Sequence, residues 1–186
     1  MKWIGKRISV VDQKDAVSFV IYPENIAWKI YILAAWLLLW ISIGVYVTSQ
    51  LFGGYNQSEK IALAIFMAFW FYFFVRVGRT FLYLTLGREF IKMDKTVLRL
   101  KTGIKTYGKT NQFFLENIAK LRKVELKENS YQSVFENSVW VRGTNKIEFE
   151  YMGKVYSFGR KLNDKDTQLL FNYIAKRISQ HIKKKG

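Results

Sequence analysis

Residues 61–90 read IALAIFMAFWFYFFVRVGRTFLYLTLGREF. The stretch opens as a segment suited to hydrocarbon, meets Arg76 and Arg79, and runs on apolar in a different rhythm. An arginine is costly in the middle of a bilayer, but at its edge the long stem stays in the apolar layer and the guanidinium reaches water. The two arginines therefore mark a water interface, where a spanning segment ends and a folded body begins.

The region before this stretch has the same character. From Ile30 to Phe52 the chain reads IYILAAWLLLWISIGVYVTSQLF, with no charged residue. At about 1.5 Å of rise per residue such a helix covers the roughly 30 Å of a bilayer core. About 29 residues of mixed charge precede it, and it is too long for the apolar region of a cleaved signal, so it reads as a retained anchor. The second segment, Ile61 to Val75, is shorter and rich in rings: Phe66, Phe69, Trp70, Phe71, Tyr72, Phe73 and Phe74. Lys60 and Arg76 flank it and extend its reach by snorkelling, taking the helix to about Gly78. The two spans, about 30–52 and 61–78, form a helical hairpin within residues 30–79, closed by the short turn GGYNQSEK.

Lys2, Lys6, Arg7, Lys14 and Lys29 lie ahead of the first span, and Arg76, Arg79, Arg88 and Lys92 follow the second. The turn holds one basic residue, Lys60, beside Glu59. Positive charge stays on the cytoplasmic side, so both termini are expected there, in a multi-pass protein of a bacterial cytoplasmic (inner) membrane. Asn56-Gln57-Ser58 fits the glycosylation pattern but sits against the membrane and is read as chance.

Chemistry is sparse. With no cysteine, disulfides, thiolate metal sites and cysteine nucleophiles are excluded, and the single histidine, His181, lies in a basic tail. The spans carry no ionisable residue, so an ion path or proton relay is not expected. Gly44 with Thr48, and Ala64 with Ala68, have the four-residue spacing that lets helices approach closely, and are the candidates for helix packing. Glu148 and Glu150 share one strand face, but it is the wet face of a hairpin, and no phosphate-cradling glycine loop is present. No catalytic residue, cofactor or metal is expected, and the chain reads as a non-enzyme.

Past Arg79 the period shortens to two. TFLYLTL (80–86), REFIKM (88–93) and TVLRLKT (96–102) suit strands, and TNQFFL, LRKVELK, VFENSVWVRG, NKIEFEY and KVYSFG continue the series. In IEFEYMGKVYSF a Met152-Gly153 turn would pair Phe149 with Tyr156 and Ile147 with Phe158, leaving Glu148 and Glu150 on the other face. The last segment is an amphipathic helix. Asn163 or Asp164 is placed to cap it, Leu170, Ile174, Ile178 and Ile182 recur every four residues, and Leu169 and Tyr173 widen the stripe. Lys183, Lys184 and Lys185 sit at its negative end. The expected fold is an α+β membrane protein: a transmembrane hairpin, then, over residues 80–186, an antiparallel sandwich or barrel of about seven strands with a C-terminal amphipathic helix. For residues 1–29, ending in a segment that Pro23 interrupts, three readings stay open: an interfacial stretch, an added strand, or disorder.

That element order, with the run FIKMDKTVLRLKTGIKTYGKTNQFFLENIAKLRKVELKE (90–128), resembles the pleckstrin-homology-like (PH-like) domains that bacteria place beside membrane spans. The layout of two spans and then such a domain is also similar to the photosystem I assembly factor family, whose basic Gly-Lys segment corresponds to Gly108-Lys109 here, with Asn111 close by. The resemblance implies a strongly bent seven-stranded sheet closed by a helix, and a non-catalytic assembly or scaffold role. It also places Lys105 and Lys109 where relatives of the fold hold inositol phosphates.

The charge fits the same location. Residues 76–186 carry 24 Lys and Arg against 10 Asp and Glu, most of the chain's formal +16. One reading of this is a solvated, basic cytoplasmic surface that topology requires, and a competing one is contact with anionic headgroups, at about 1 kcal/mol per close Lys or Arg. Arg76, Arg79, Arg88, Lys105 and Lys109 are the headgroup candidates. Nucleic acid is not an expected partner, because the basic residues are scattered over many strands and no recognition helix or RNA-binding signature is present. The function expected is an accessory, scaffold or assembly subunit of a larger membrane complex, with an anionic-lipid-binding membrane organiser or sensor as the alternative; the partner classes are a membrane-protein complex, anionic lipid and further copies of the chain.

Overall fold

The computed structural model describes residues 2–13, 15–24, 26–104, 107–124 and 138–183. Three short strands come first: β1 (Lys2–Ile4), β2 (Ile8–Asp12) and β3 (Val17–Ile21). Two long helices follow, α1 (Ala27–Leu51) and α2 (Gln57–Leu86). Then come β4 (Gly87–Met93), β5 (Val97–Ile104), β6 (Tyr107–Phe114), a 3-10 turn at Leu115–Asn117, β7 (Ile118–Lys123), β8 (Asn145–Tyr151), β9 (Lys154–Arg160) and α3 (Asp164–Lys183).

The first six strands form one antiparallel sheet in sequence order, and β7, β8 and β9 form a second. The helical hairpin is thus an insertion between two neighbours of one sheet, because β3 pairs with β4 from Val17↔Met93 to Ile21↔Glu89. Both ends of the hairpin consequently leave it on the same side. Of the three readings for the N-terminal residues the added strand is the observed one, three times over. Alternation explains it: Ile8 and Val10 on β2, and Val17, Phe19 and Ile21 on β3, point inward and are buried. The boundary drawn at residue 29 therefore separates strands that one sheet joins, and the region after the hairpin supplies six of the nine described strands.

One core unites the two sheets and α3. Phe19, Ile91, Leu98, Phe113, Ile147, Phe149 and Phe158 meet Leu170, Ile174 and Ile178 of the helix. Asn163 is the cap: its side-chain oxygen accepts the Asp166 N–H at 2.7 Å. The expected stripe holds at Leu170, Ile174 and Ile178, and Tyr173 packs edge-on against Phe19. Leu169, expected to widen it, is 39 % exposed, and Phe171 packs against the core instead. The Met152-Gly153 hairpin forms in the expected register, Phe149↔Tyr156 and Ile147↔Phe158, with positive φ at both turn residues. On the other face Glu148 pairs with Arg122, and Glu150 with Lys120 at 2.7 Å.

Two strand expectations fail. TFLYLTL is the last part of α2, not a strand. Val77, Phe81 and Leu84, spaced four and three apart, pack on Leu33 of α1, and that helical face outweighs the strand preference of Phe, Tyr and Thr. Of VFENSVWVRG, residues 134–137 lie outside the described residues and 138–143 form a turn and irregular chain. LRKVELK is a strand as far as Lys123, with 125–127 outside the described residues.

Candidate functional site: an arginine-lined groove beside the hairpin

The hairpin has its own internal logic. Asn56 caps α2 by accepting the Glu59 N–H at 3.0 Å while the Glu59 carboxylate accepts the Asn56 N–H at 3.0 Å, so this asparagine serves as a capping box. Gly44 is buried against the Trp70 indole, and a Cβ there would collide with the ring. The neighbour of Gly44 is thus an aromatic ring and not a second small residue. Thr48 turns its hydroxyl back to the Gly44 carbonyl at 2.7 Å and takes no part in the seam. Ala64 and Ala68 are exposed.

A feature not expected from the sequence locks the seam. The Trp40 indole N–H donates to the Trp70 carbonyl at 3.1 Å, and the Trp70 indole N–H donates to the Trp40 carbonyl at 2.7 Å. A half-buried indole needs an acceptor, and between two apolar helices a helix carbonyl's second lone pair is the one at hand. The reciprocal bonds fix the register of the helices. Trp36 stacks on Trp40, and Trp70 on Phe74.

With that register, Arg76 and Arg79 lie level with Ala34 and Tyr31 of α1, at the end of its charge-free run. Beside them the chain segment 138–142 reaches the hairpin: the Trp140 ring meets Trp36 edge-on at 5.3 Å, and the Trp140 carbonyl accepts the Thr80 hydroxyl at 3.3 Å. Between this segment and α2 lies a groove of about 610 Å³, lined at one end by Arg76, Arg79 and Arg142 and at the other by Phe71 and Ala68. No carboxylate lines it. Arg76 donates to the Tyr72 hydroxyl at 2.9 Å, while Arg79 and Arg142 have no hydrogen bond or ion pair among the described residues. Burial pushes the Arg142 guanidinium below its usual pKa, and the positive charges of Arg160 and Arg79 push the same way.

Of the headgroup candidates, Arg76 and Arg79 meet in this groove. Arg88 does not: it is exposed on β4, its guanidinium 5.2 Å from the centre of the Tyr22 ring. Lys109 is exposed on β6, opposite Thr102, and Lys105 lies outside the described residues. The third groove arginine, Arg142, was missed. Its signal was Trp140-Val141-Arg142, an aromatic and a cation of the kind that collects at bilayer edges, masked by its reading as a strand.

Above the groove a polar knot ties the end of α2 to both sheets. Glu89 on β4 is 2 % exposed. Its carboxylate accepts the Gly159 N–H at 2.8 Å, the Arg160 N–H at 3.2 Å and the Tyr83 hydroxyl at 3.2 Å. The Arg160 guanidinium sits over the Tyr83 ring at 5.2 Å. Arg7, from the β1–β2 turn, donates to the carbonyls of Tyr22 and Lys161 at 2.9 and 2.5 Å. Glu89 and Tyr83 are thus tied to one another and Arg7 to backbone carbonyls, while the buried Arg160 Nε has no hydrogen-bond partner among the described residues. Among the described residues no cluster of His, Asp or Glu is suited to a metal ion. Comparison with protein-family models, curated proteins and solved structures found no match.

Proposed function

We propose that this chain is a two-span membrane protein whose body, built like a PH-like domain as two antiparallel sheets closed by a C-terminal helix, serves on the cytoplasmic face as a non-catalytic accessory or scaffold subunit of a larger membrane complex. The observation that carries the reading is the exposed apolar belt of the hairpin. Leu38 is 67 % exposed, Phe69 63 % and Phe71 60 %, on two helices long and apolar enough to cross a bilayer. Such a belt is tolerable in lipid and a liability in water.

Insertion between paired strands sets the body at a fixed height over the membrane, as a platform requires. The longest of its edge strands is β6, eight residues with all but Phe113 exposed and no strand beyond it among the described residues. An open edge takes an extended segment of a partner by main-chain pairing. Gentle detergent extraction followed by native mass spectrometry tests the role: a stoichiometric protein partner that is lost on Gln112→Pro supports it, and a chain that always runs alone refutes it. Cysteine labelling of intact cells tests the orientation, with the Gly53-Gly54 turn expected to react from outside.

A further inference from the structure

We infer that the groove between α2 and the 138–142 segment binds one anionic glycerophospholipid, its phosphate held by Arg76, Arg79 and Arg142 and one acyl chain laid along Phe71 and Ala68. This goes beyond the accessory role and does not depend on it, since it needs only the hairpin in a bilayer.

Charge comes first. Three guanidinium groups face one space with no carboxylate on its wall, and two of them have no partner among the described residues. The three arginines are solvent-exposed, and like charges lining one groove repel; an anion between them turns that repulsion into charge-assisted hydrogen bonds. Arginine suits a phosphate in particular, because its planar fork meets two oxygens at once and sheds water readily.

Shape selects the source of the phosphate. From Arg79 the wall descends through Val75 and Phe71 to Ala68, about 16 Å along the helix at 1.5 Å per residue. A soluble anion would fill the upper end and leave this apolar length empty. A phospholipid fills both ends and extends its chain toward the exposed rings of Phe69 and Phe73, where the apolar lining continues. Trp140 completes the frame, its ring on Trp36 and its carbonyl on Thr80, which holds Arg142 over the site.

The test uses the full chain in micelles doped with equal amounts of phosphatidylglycerol and phosphatidylcholine, read by native mass spectrometry. One phosphatidylglycerol is expected to stay on each chain in preference to phosphatidylcholine. The double variant Arg79→Gln/Arg142→Gln is expected to lower its retention on the order of tenfold or more, for two lost charges near the headgroup, and Arg88→Gln to leave it unchanged. Neither groove side chain has a described partner to lose, so folding is expected to persist; Ala68→Phe, which narrows the apolar end, is a second variant expected to weaken lipid retention by itself. Equal retention of the two lipids, an equal loss on Arg88→Gln, or displacement by millimolar inorganic phosphate would overturn the inference, the last by showing a site for a soluble anion.

Discussion

Glu89→Ala should be among the most damaging single changes in the body, and its size follows from the donors it strands. The wild-type carboxylate satisfies the Gly159 N–H, the Arg160 N–H and the Tyr83 hydroxyl at a residue 2 % exposed. Alanine leaves the Gly159 N–H and the Tyr83 hydroxyl buried without an acceptor, at about 1–3 kcal/mol each, and deprives Arg160 and Arg7 of their nearby anion. The two donors sum to about 2–6 kcal/mol, a range that brackets the roughly 3–5 kcal/mol that removing one partner from a buried charged cluster generally costs. Glu89→Gln keeps one oxygen but turns an amide N–H₂ toward a backbone N–H, an intermediate loss of about 1–3 kcal/mol. Tyr83→Phe removes a single donor and should cost about 0.5–1.5 kcal/mol. The assay is denaturant unfolding of the full chain in detergent, followed by circular dichroism in the β region, where the helical hairpin contributes a stable background. The ordering Ala, then Gln, then Phe is the expected result. A Glu89→Ala protein within about 1 kcal/mol of wild type would refute the view that this carboxylate ties α2 to the two sheets.

Gly44→Val should separate α1 from α2 at the Trp70 contact, lowering the melting temperature of the hairpin in detergent by the equivalent of about 1–3 kcal/mol, the usual cost of overpacking. Ile174→Ala should destabilise the body by about 2–5 kcal/mol, since this side chain is fully buried, whereas Leu169→Ala, on the same helix and 39 % exposed, should stay within about 0.5 kcal/mol; chemical melts of the pair measure the contrast. The Asp15 carboxyl is held below the usual aspartate range, chiefly by its hydrogen bond with Lys95 and then by that ammonium's charge. A depressed folded-state pKa means the contribution of this exposed pair is present above the ordinary aspartate range and lost as pH falls through the folded value. Lys95→Met should therefore raise the Asp15 midpoint toward an ordinary aspartate in a carboxyl NMR titration at low salt, and an unchanged midpoint would dismiss the pair.

What lay open in the linear chain was whatever depends on near neighbours. The charge-free run Ile30–Phe52, the aromatic helix after Lys60, the two-residue hairpin at Met152-Gly153 and the stripe Leu170, Ile174, Ile178 each follow from a local period or turn chemistry, and each is in the structure. Where local propensity and distant packing disagreed, the period of two misled: Thr80–Leu86 reads as a strand, yet Val77, Phe81 and Leu84 find Leu33 and stay helical. The number of strands was undercounted because β1, β2 and β3 precede the hairpin, and five-residue alternation near a terminus acquires meaning only beside β4.

The groove arginines show the same division most sharply. Arg76 and Arg79 were visible as the place where the lipid-compatible run stops, since charge has a cost wherever it meets hydrocarbon. Their third companion, Arg142, lies more than sixty residues on, and only the contacts of Trp140 with Trp36 and Thr80 bring it across. The exclusion of Arg88 from that group was equally a matter of folding, because β4 turns it toward Tyr22. Sequence alone specified the two apolar helices and the Met152-Gly153 turn, which are decided by hydrophobic period and by turn chemistry a few residues long. Tertiary structure decided that the hairpin sits inside a continuous sheet, that paired indoles lock it, and which cations share a groove, because each depends on groups brought together over long stretches of chain.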